Sequence, residues 1–184
     1  MSSGLAADDD DPNSPGNSSK WLTEPGWVGF ALSLPMAFKP GKKFVYNDVC
    51  PMLTGAIIEH VSGRKLADFA SDYLFTPLAI REVYWYTGVS GQTAPMGNLY
   101  LSTLDLAKIG QLMLNKGAWH GQQVISSAWI SRVEQQQFAL SDRYAQGYDY
   151  YWCRSSMSIG RTTYDYWFGS GNGATCYLWY LKLI

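Results

Sequence analysis

Missing first is any apolar run long enough to cross a bilayer, which excludes a membrane-spanning helix. Missing next is a surplus of charge: 14 Lys and Arg stand against 15 Asp and Glu, a net charge of −1. That balance removes the electrostatic case for a nucleic-acid partner or an anionic membrane surface. Cysteine is scarce. Cys50, Cys153 and Cys176 are an odd, scattered set with neither disulfide nor metal spacing, and are expected to be free thiols, buried in the core. Of the two histidines, His60 falls near a helix end and His120 in a Gly-flanked turn, far apart in the chain, so both are read as structural. No metal and no cofactor is expected. No signal peptide is visible, but a missing N-terminal part would have removed one, so that absence decides nothing.

What is present is globular: 47% of the 184 residues are hydrophobic and 15% aromatic, enough to bury a core. Residues 6–20 are polar and turn-rich, with Asp8, Asp9, Asp10 and Asp11 in a row, and predict a solvated loop. Residues 21–34 set Trp27, Phe30, Ala31 and Leu34 at helical spacing until Pro35 stops them, with Trp21 and Trp27 expected in the core. Further helices are expected over 52–61, with Leu53, Ile57 and Ile58 inward, and over 66–74, with Phe69, Ala70 and Tyr73 packing. A third starts at Ser102, where Ser102-x-x-Asp105 has the form of a capping box. Its inner face is Leu106, Ile109, Met113 and Leu114, and Asn115-Lys116-Gly117 ends it. A fourth runs from a Ser126 cap through Gln136. Beyond Tyr144, aromatic stretches at 148–152 and 162–168 predict two strands joined by a polar connection, then a turn, Gly169-Ser170-Gly171-Asn172-Gly173.

The densest chemical signal is Pro40-Gly41-Lys42-Lys43-Phe44-Val45-Tyr46-Asn47-Asp48, just ahead of the 52–61 helix. In an extended segment, residues two apart face the same way, so Tyr46 and Asp48 are expected on one cleft. A phenol and a carboxylate held together can manage protons if the site moves the phenol from its usual pKa of about 10.

From residue 40 to residue 78 the chain resembles the serine β-lactamase-related hydrolases: class C-type lactamases, DD-peptidases, esterases and oligoamide hydrolases. The Pro-Gly turn, the Tyr motif, the helix closing at Ser62-Gly63, and Leu74-Phe75-Thr76-Pro77-Leu78 follow that family's order. The likeness resumes at Gly97-Asn98-Leu99-Tyr100-Leu101-Ser102-Thr103-Leu104-Asp105-Leu106-Ala107 and at Gly117-Ala118-Trp119-His120-Gly121. It implies an α+β, β-lactamase/transpeptidase-like fold, a helical region plus an antiparallel sheet, incomplete at both ends. Residues 1–184 would be one partial domain, mostly helical over 1–140, with sheet strands over 144–184.

The resemblance further implies a hydrolase that cleaves a small ester or amide through an acyl-enzyme. Tyr46 would shuttle the proton, and Asp48 stands where many members carry Asn. Asn47 could serve instead if the motif is offset by one. Ser170, Gly171 and Asn172 would supply a backbone oxyanion donor, in a Gly-x-Gly form that lacks the basic residue of penicillin-recognising motifs. The family's nucleophile, the Ser of a Ser-x-x-Lys motif, would precede residue 1. The internal match Ser62-Gly63-Arg64-Lys65 closes a helix rather than opening one, and is rejected. An exported or periplasmic location is expected from the family. After Gly173 the family places a strand ending in Val-Pro-Glu. Codons exist for residues 174–184 that yield such a strand in a shifted frame, so this end is expected to have left its native frame. Two alternatives stay open: a non-catalytic peptide- or cell-wall-binding relative, and the inactive product of a truncated or frameshifted gene.

Overall fold

The computed structural model describes residues 1–135, 138–140 and 145–171, and the backbone of residues 178–183. The chain forms two compact units. Met1–Asp72 with Val83–Tyr100 make the first, and Tyr73–Glu82 with Leu101–Ile184 the second.

In the first unit, helices α1 (Trp27–Ser33), α2 (Val49–Ser62) and α3 (Leu66–Ala70) accompany an antiparallel ribbon of β1 (Tyr84–Trp85) and β2 (Leu99–Tyr100). Its core gathers Trp21, Trp27, Ala31, Val49, Met52 and Ala94. Trp21 and Trp27 meet edge to face with ring centroids 5.8 Å apart, a favourable aromatic geometry. Both tryptophans are therefore packing residues. The 21–34 stretch is helical only from Trp27. The α2 helix starts three residues before the apolar periodicity does, because Asn47 Oδ1 accepts the Cys50 N–H at 2.9 Å and caps the first turn. It stops at Gly63, whose left-handed backbone (φ 66°) lets its N–H reach the Glu59 carbonyl at 2.9 Å.

Leu53 packs against the core as expected, but the fully buried side of α2 is Val49, Cys50, Pro51, Met52 and Gly55, while Ile57 is 62% exposed. Close approach decides this. A Cβ on Gly55 would lie 2.8 Å from Pro95 Cγ, so the helix turns its smallest residue, not its largest aliphatics, toward its neighbours. The expected 66–74 helix is α3 followed by a wider-wound turn over Ser71–Phe75; Leu66 and Phe75 are buried and Tyr73 is exposed.

The second unit holds α4 (Thr103–Leu114), a β3–β4 hairpin (Ala118–Trp119, Gln122–Gln123), α5 (Ser127–Val133) and a five-stranded antiparallel sheet. The sheet runs in chain order through β5 (Phe138–Ala139), β6 (Gly147–Asp149), β7 (Trp152–Ile159), β8 (Thr162–Gly169) and β9 (Leu178–Leu183). The Ser102 cap at α4 forms as expected, without the reciprocal backbone bond of a full capping box among the hydrogen bonds of the described residues. Asp105 N–H reaches Ser102 Oγ at 3.1 Å, and that hydroxyl donates to Asp105 Oδ2 at 2.8 Å. Its inner face is shifted by one position on one side: Gly110, Leu112 and Met113 are buried, whereas Leu114 is exposed. Ser126 caps α5 through the Trp129 N–H, and the helix ends at Val133; Gln136 lies outside the described residues.

The strand expected over 148–152 is two strands. The chain reverses at Tyr150 and Tyr151, both left-handed (φ 44° and 69°), and the supposed polar connection is itself strand β7, paired with β6 and β8. Left-handed backbone costs a non-glycine residue about 1–2 kcal/mol. Packing offsets it: the Tyr150 ring lies 4.8 Å from that of Trp129, and Arg132 Nε donates to its hydroxyl at 2.8 Å. No short-range turn signal announces such a hairpin, since Asn-Gly or Asp-Gly is the usual sequence.

Candidate functional site

The Tyr46 segment is pinned along its backbone. Val45 N–H donates to the Met1 carbonyl at 3.0 Å, Asp9 N–H to the Tyr46 carbonyl at 3.1 Å, and Asp48 N–H to Asp9 Oδ2 at 2.7 Å. Between these anchors Asn47 is 2% exposed with its amide fully engaged, Nδ2 donating to the Val45 carbonyl at 2.8 Å and Oδ1 capping α2. Asn47 thus builds the motif and is turned away from solvent, which argues against the offset reading. Tyr46 remains 42% exposed on this fixed backbone.

Asp48 has helical backbone (φ −83°, ψ −11°) at the head of α2, so the extended stretch ends there. The cause is the Asn47 cap, which begins the helical turn one residue after Tyr46.

Asp48 is half-buried, and burial first, then the negative charge of Asp9, push its carboxyl up to about 6. Sequence reading treated Asp9 as part of a solvated acidic loop and missed this role. Asp9 in fact bridges two backbone donors, Ser18 N–H and Asp48 N–H, each at 2.7 Å. Nothing local signals a contact that spans 39 residues. The rest of the loop is equally built, with Asn17 Nδ2 donating to the carbonyls of Asp8, Asp9 and Asp11.

Because folding raises the Asp48 pKa, the native state keeps a proton that the unfolded chain has lost between about pH 4 and 6. Stability contributed by this group is therefore greatest at acid pH and declines as pH climbs through that window. Asp48→Asn is expected to remove the slope, so its denaturation midpoint gains on the parent's from pH 4 to pH 7. A constant gap across that range would rule the titration out.

Ser170 and Gly171 follow the end of β8, and both are exposed. A Cβ built on Gly171 meets nothing within 4 Å among the described residues. Asn172 and Cys176 lie outside the described residues, as do 174, 175 and 177. Tyr46 and Asp48 belong to the first unit, Ser170 and Gly171 to the second. Ser62 sits where its motif match was rejected. Its Oγ donates to the Ile58 carbonyl at 2.6 Å in the last turn of α2, and Lys65 follows the Gly63 break in extended backbone. Cys50 is buried with its Sγ 3.3 Å from Ser3 Oγ, while Cys153 is half-buried. Among the described residues no cluster of His, Cys, Asp and Glu could hold a metal ion, and no helix is long and apolar enough to cross a membrane.

Comparison with known proteins places these elements. A 6-aminohexanoate-dimer hydrolase of Paenarthrobacter ureafaciens is 31% identical over 78 residues, 42% of this chain and 20% of that protein. The octameric penicillin-binding protein homologue from Pyrococcus abyssi superposes with a TM-score of 0.59 at 20% identity, over 80% of this chain and 41% of that one. A penicillin binding protein from Bacillus halodurans gives 0.62 at 14% identity, over 91% and 63%. The chain thus spans less than two thirds of the length of these relatives. The structural likenesses establish an α+β, β-lactamase/transpeptidase-like fold. The family model described as Beta-lactamase matches residues 1–182, and the chain belongs to that family of hydrolases.

Proposed function

We propose that this chain is part of one serine hydrolase domain that cleaves a small ester or amide through an acyl-enzyme, with Tyr46 as its proton shuttle. The observation that carries this is the Tyr46 segment itself, hydrogen-bonded along its backbone at Val45, Tyr46 and Asp48 at the head of α2, with Tyr46 42% exposed. A fixed backbone that presents a tyrosine at the surface suits proton transfer to a bound substrate. The match of the family model through residue 182 supports this reading over a broken gene product.

In the proposed reaction the serine of a Ser-x-x-Lys motif preceding residue 1 attacks the carbonyl carbon. Its proton passes to Tyr46 Oη, which acts as a phenolate favoured by the positive charge of the motif's lysine, and the carbonyl π pair moves to oxygen as an oxyanion. The backbone N–H of the serine stabilises that charge. As the oxyanion collapses, the C–O or C–N bond breaks and Tyr46 returns the proton to the leaving oxygen or nitrogen. Water then hydrolyses the acyl-enzyme by the same route. Asp48, ionised above about pH 6, favours the motif's lysine as ammonium but opposes the Tyr46 phenolate, which shifts the pH optimum. The family resemblance also supports an exported location.

Covalent labelling tests the reading. A fluorophosphonate is expected to label the protein that includes the upstream segment at one serine before residue 1, and to leave residues 1–184 alone unlabelled. Stoichiometric labelling at Ser62, or at any other serine of this chain, would overturn the assignment of the nucleophile.

A further inference from the structure

Asp9 holds the Tyr46 segment twice. Its N–H donates to the Tyr46 carbonyl at 3.1 Å, and its Oδ2 accepts the Asp48 N–H at 2.7 Å. Those two groups belong to the peptides on either side of Asn47, so one residue fixes both. The other carboxylate oxygen, Oδ1, accepts the Ser18 N–H at 2.7 Å. Ser18 opens a short turn of 3-10 helix that leads into Trp21, a buried member of the first unit's core. The Tyr46 segment is thereby tied to that core.

Two N–H donors require two acceptors on one short stem, and an ionised carboxylate supplies them. An amide of the same shape offers one acceptor and turns an NH₂ toward the second donor. Bonds to an ionised acceptor are also the stronger kind. Asp9 is itself held in place: Asn17, 6% exposed, donates from Nδ2 to the Asp9 carbonyl at 3.2 Å and to those of Asp8 and Asp11. Among the described residues, Asp9 is the neighbour whose charge acts on the Asp48 carboxyl. Hydrogen bonds keep these two like charges together.

We propose that Asp9 is a positioning residue for the chemistry assigned to Tyr46, fixing the peptides on both sides of Asn47 and so the place from which the phenol works. The inference rests on the reading of Tyr46 as the proton shuttle. Asp9 acts through the Tyr46 backbone and touches no reacting atom.

The test uses the protein that includes the upstream segment. Asp9→Asn keeps the shape and removes the charge and one acceptor. It is expected to lower kcat about 10- to 100-fold with KM nearly unchanged. It should also bring the Asp48 titration, followed by carboxyl-carbon NMR, down toward the ordinary carboxylate range. Asp10→Asn, which removes an equal charge from an exposed position in the same loop, should do neither. Coupling decides between positioning and mere structure. In a Tyr46→Phe background, Asp9→Asn should cost no more than about twofold, because the group it positions is already gone. An undiminished loss in that background, or a kcat within about twofold of the parent's for Asp9→Asn alone, overturns the proposal. If Tyr46→Phe is itself silent, the shuttle reading falls and this inference with it. A damaging Tyr46→Phe beside a silent Asp9→Asn removes Asp9 alone. Should Asp9→Asn fail to fold, the unsubstituted protein decides: the Asp9 and Asp48 amide protons are expected to exchange slowly with solvent, and rapid exchange at either overturns the proposal.

Discussion

Tyr46→Phe is expected to lower turnover by two or more orders of magnitude in the protein that supplies the Ser-x-x-Lys segment, with the fold unchanged. General acid–base catalysis by a positioned group contributes about 10²–10⁴-fold, and phenylalanine removes only the hydroxyl that provides it. The fold is expected to hold because the Tyr46 carbonyl, which accepts the Asp9 N–H, is untouched by the substitution and the residue is 42% exposed. Turnover on a panel of esters, β-lactams and short amides, with the thermal melt measured in parallel, checks both halves. A loss below threefold with an unaltered melt would remove Tyr46 from the chemistry and leave it a surface residue. The same panel would narrow the substrate class.

Gly117→Ala should be the most damaging small substitution in the second unit. Gly117 is left-handed (φ 83°) after α4, and a Cβ there would collide with the Ile125 carbonyl, which is backbone and cannot swing away. The Gly117 carbonyl is also committed, accepting Val124 N–H at 2.9 Å and Ile125 N–H at 3.1 Å, so the loop cannot shift without losing both bonds. Strain of about 1–2 kcal/mol and overpacking of about 1–3 kcal/mol together suggest a loss near 3 kcal/mol. In a chain of this size that is a drop in melting temperature of about 6–12 °C. Gly160→Ala is the control. It is also left-handed (φ 64°), but a Cβ there meets nothing within 4 Å, so only the conformational part should appear. Equal losses at the two positions would show that backbone strain alone, without the Ile125 collision, sets the cost.

Helix ends were the most legible feature of the sequence. Asp105 three residues after Ser102 marks the head of α4, Ser126 marks α5, and Gly63 marks the stop of α2, because capping is chemistry between near neighbours. The family was legible for a related reason: its motifs are short runs in a set order, and the family model covers the same stretch. Faces were less legible. Ile57 and Leu114 look inward by periodicity, yet both are exposed, since the neighbour that a helix meets is chosen by shape at residues such as Gly55.

The site divides in the same way. By itself the sequence determined the position of the Tyr46-Asn47-Asp48 motif, the stop of α2 at Gly63, and the membership of the chain in a hydrolase family. Only the tertiary structure decided that Asn47 is a buried cap, that Asp9 reaches across 39 residues to Asp48, and that Tyr150 and Tyr151 reverse the sheet against α5. The last two depend on contacts between segments far apart in the chain. Local preference opposes or ignores such contacts, and packing supplies the free energy that makes them.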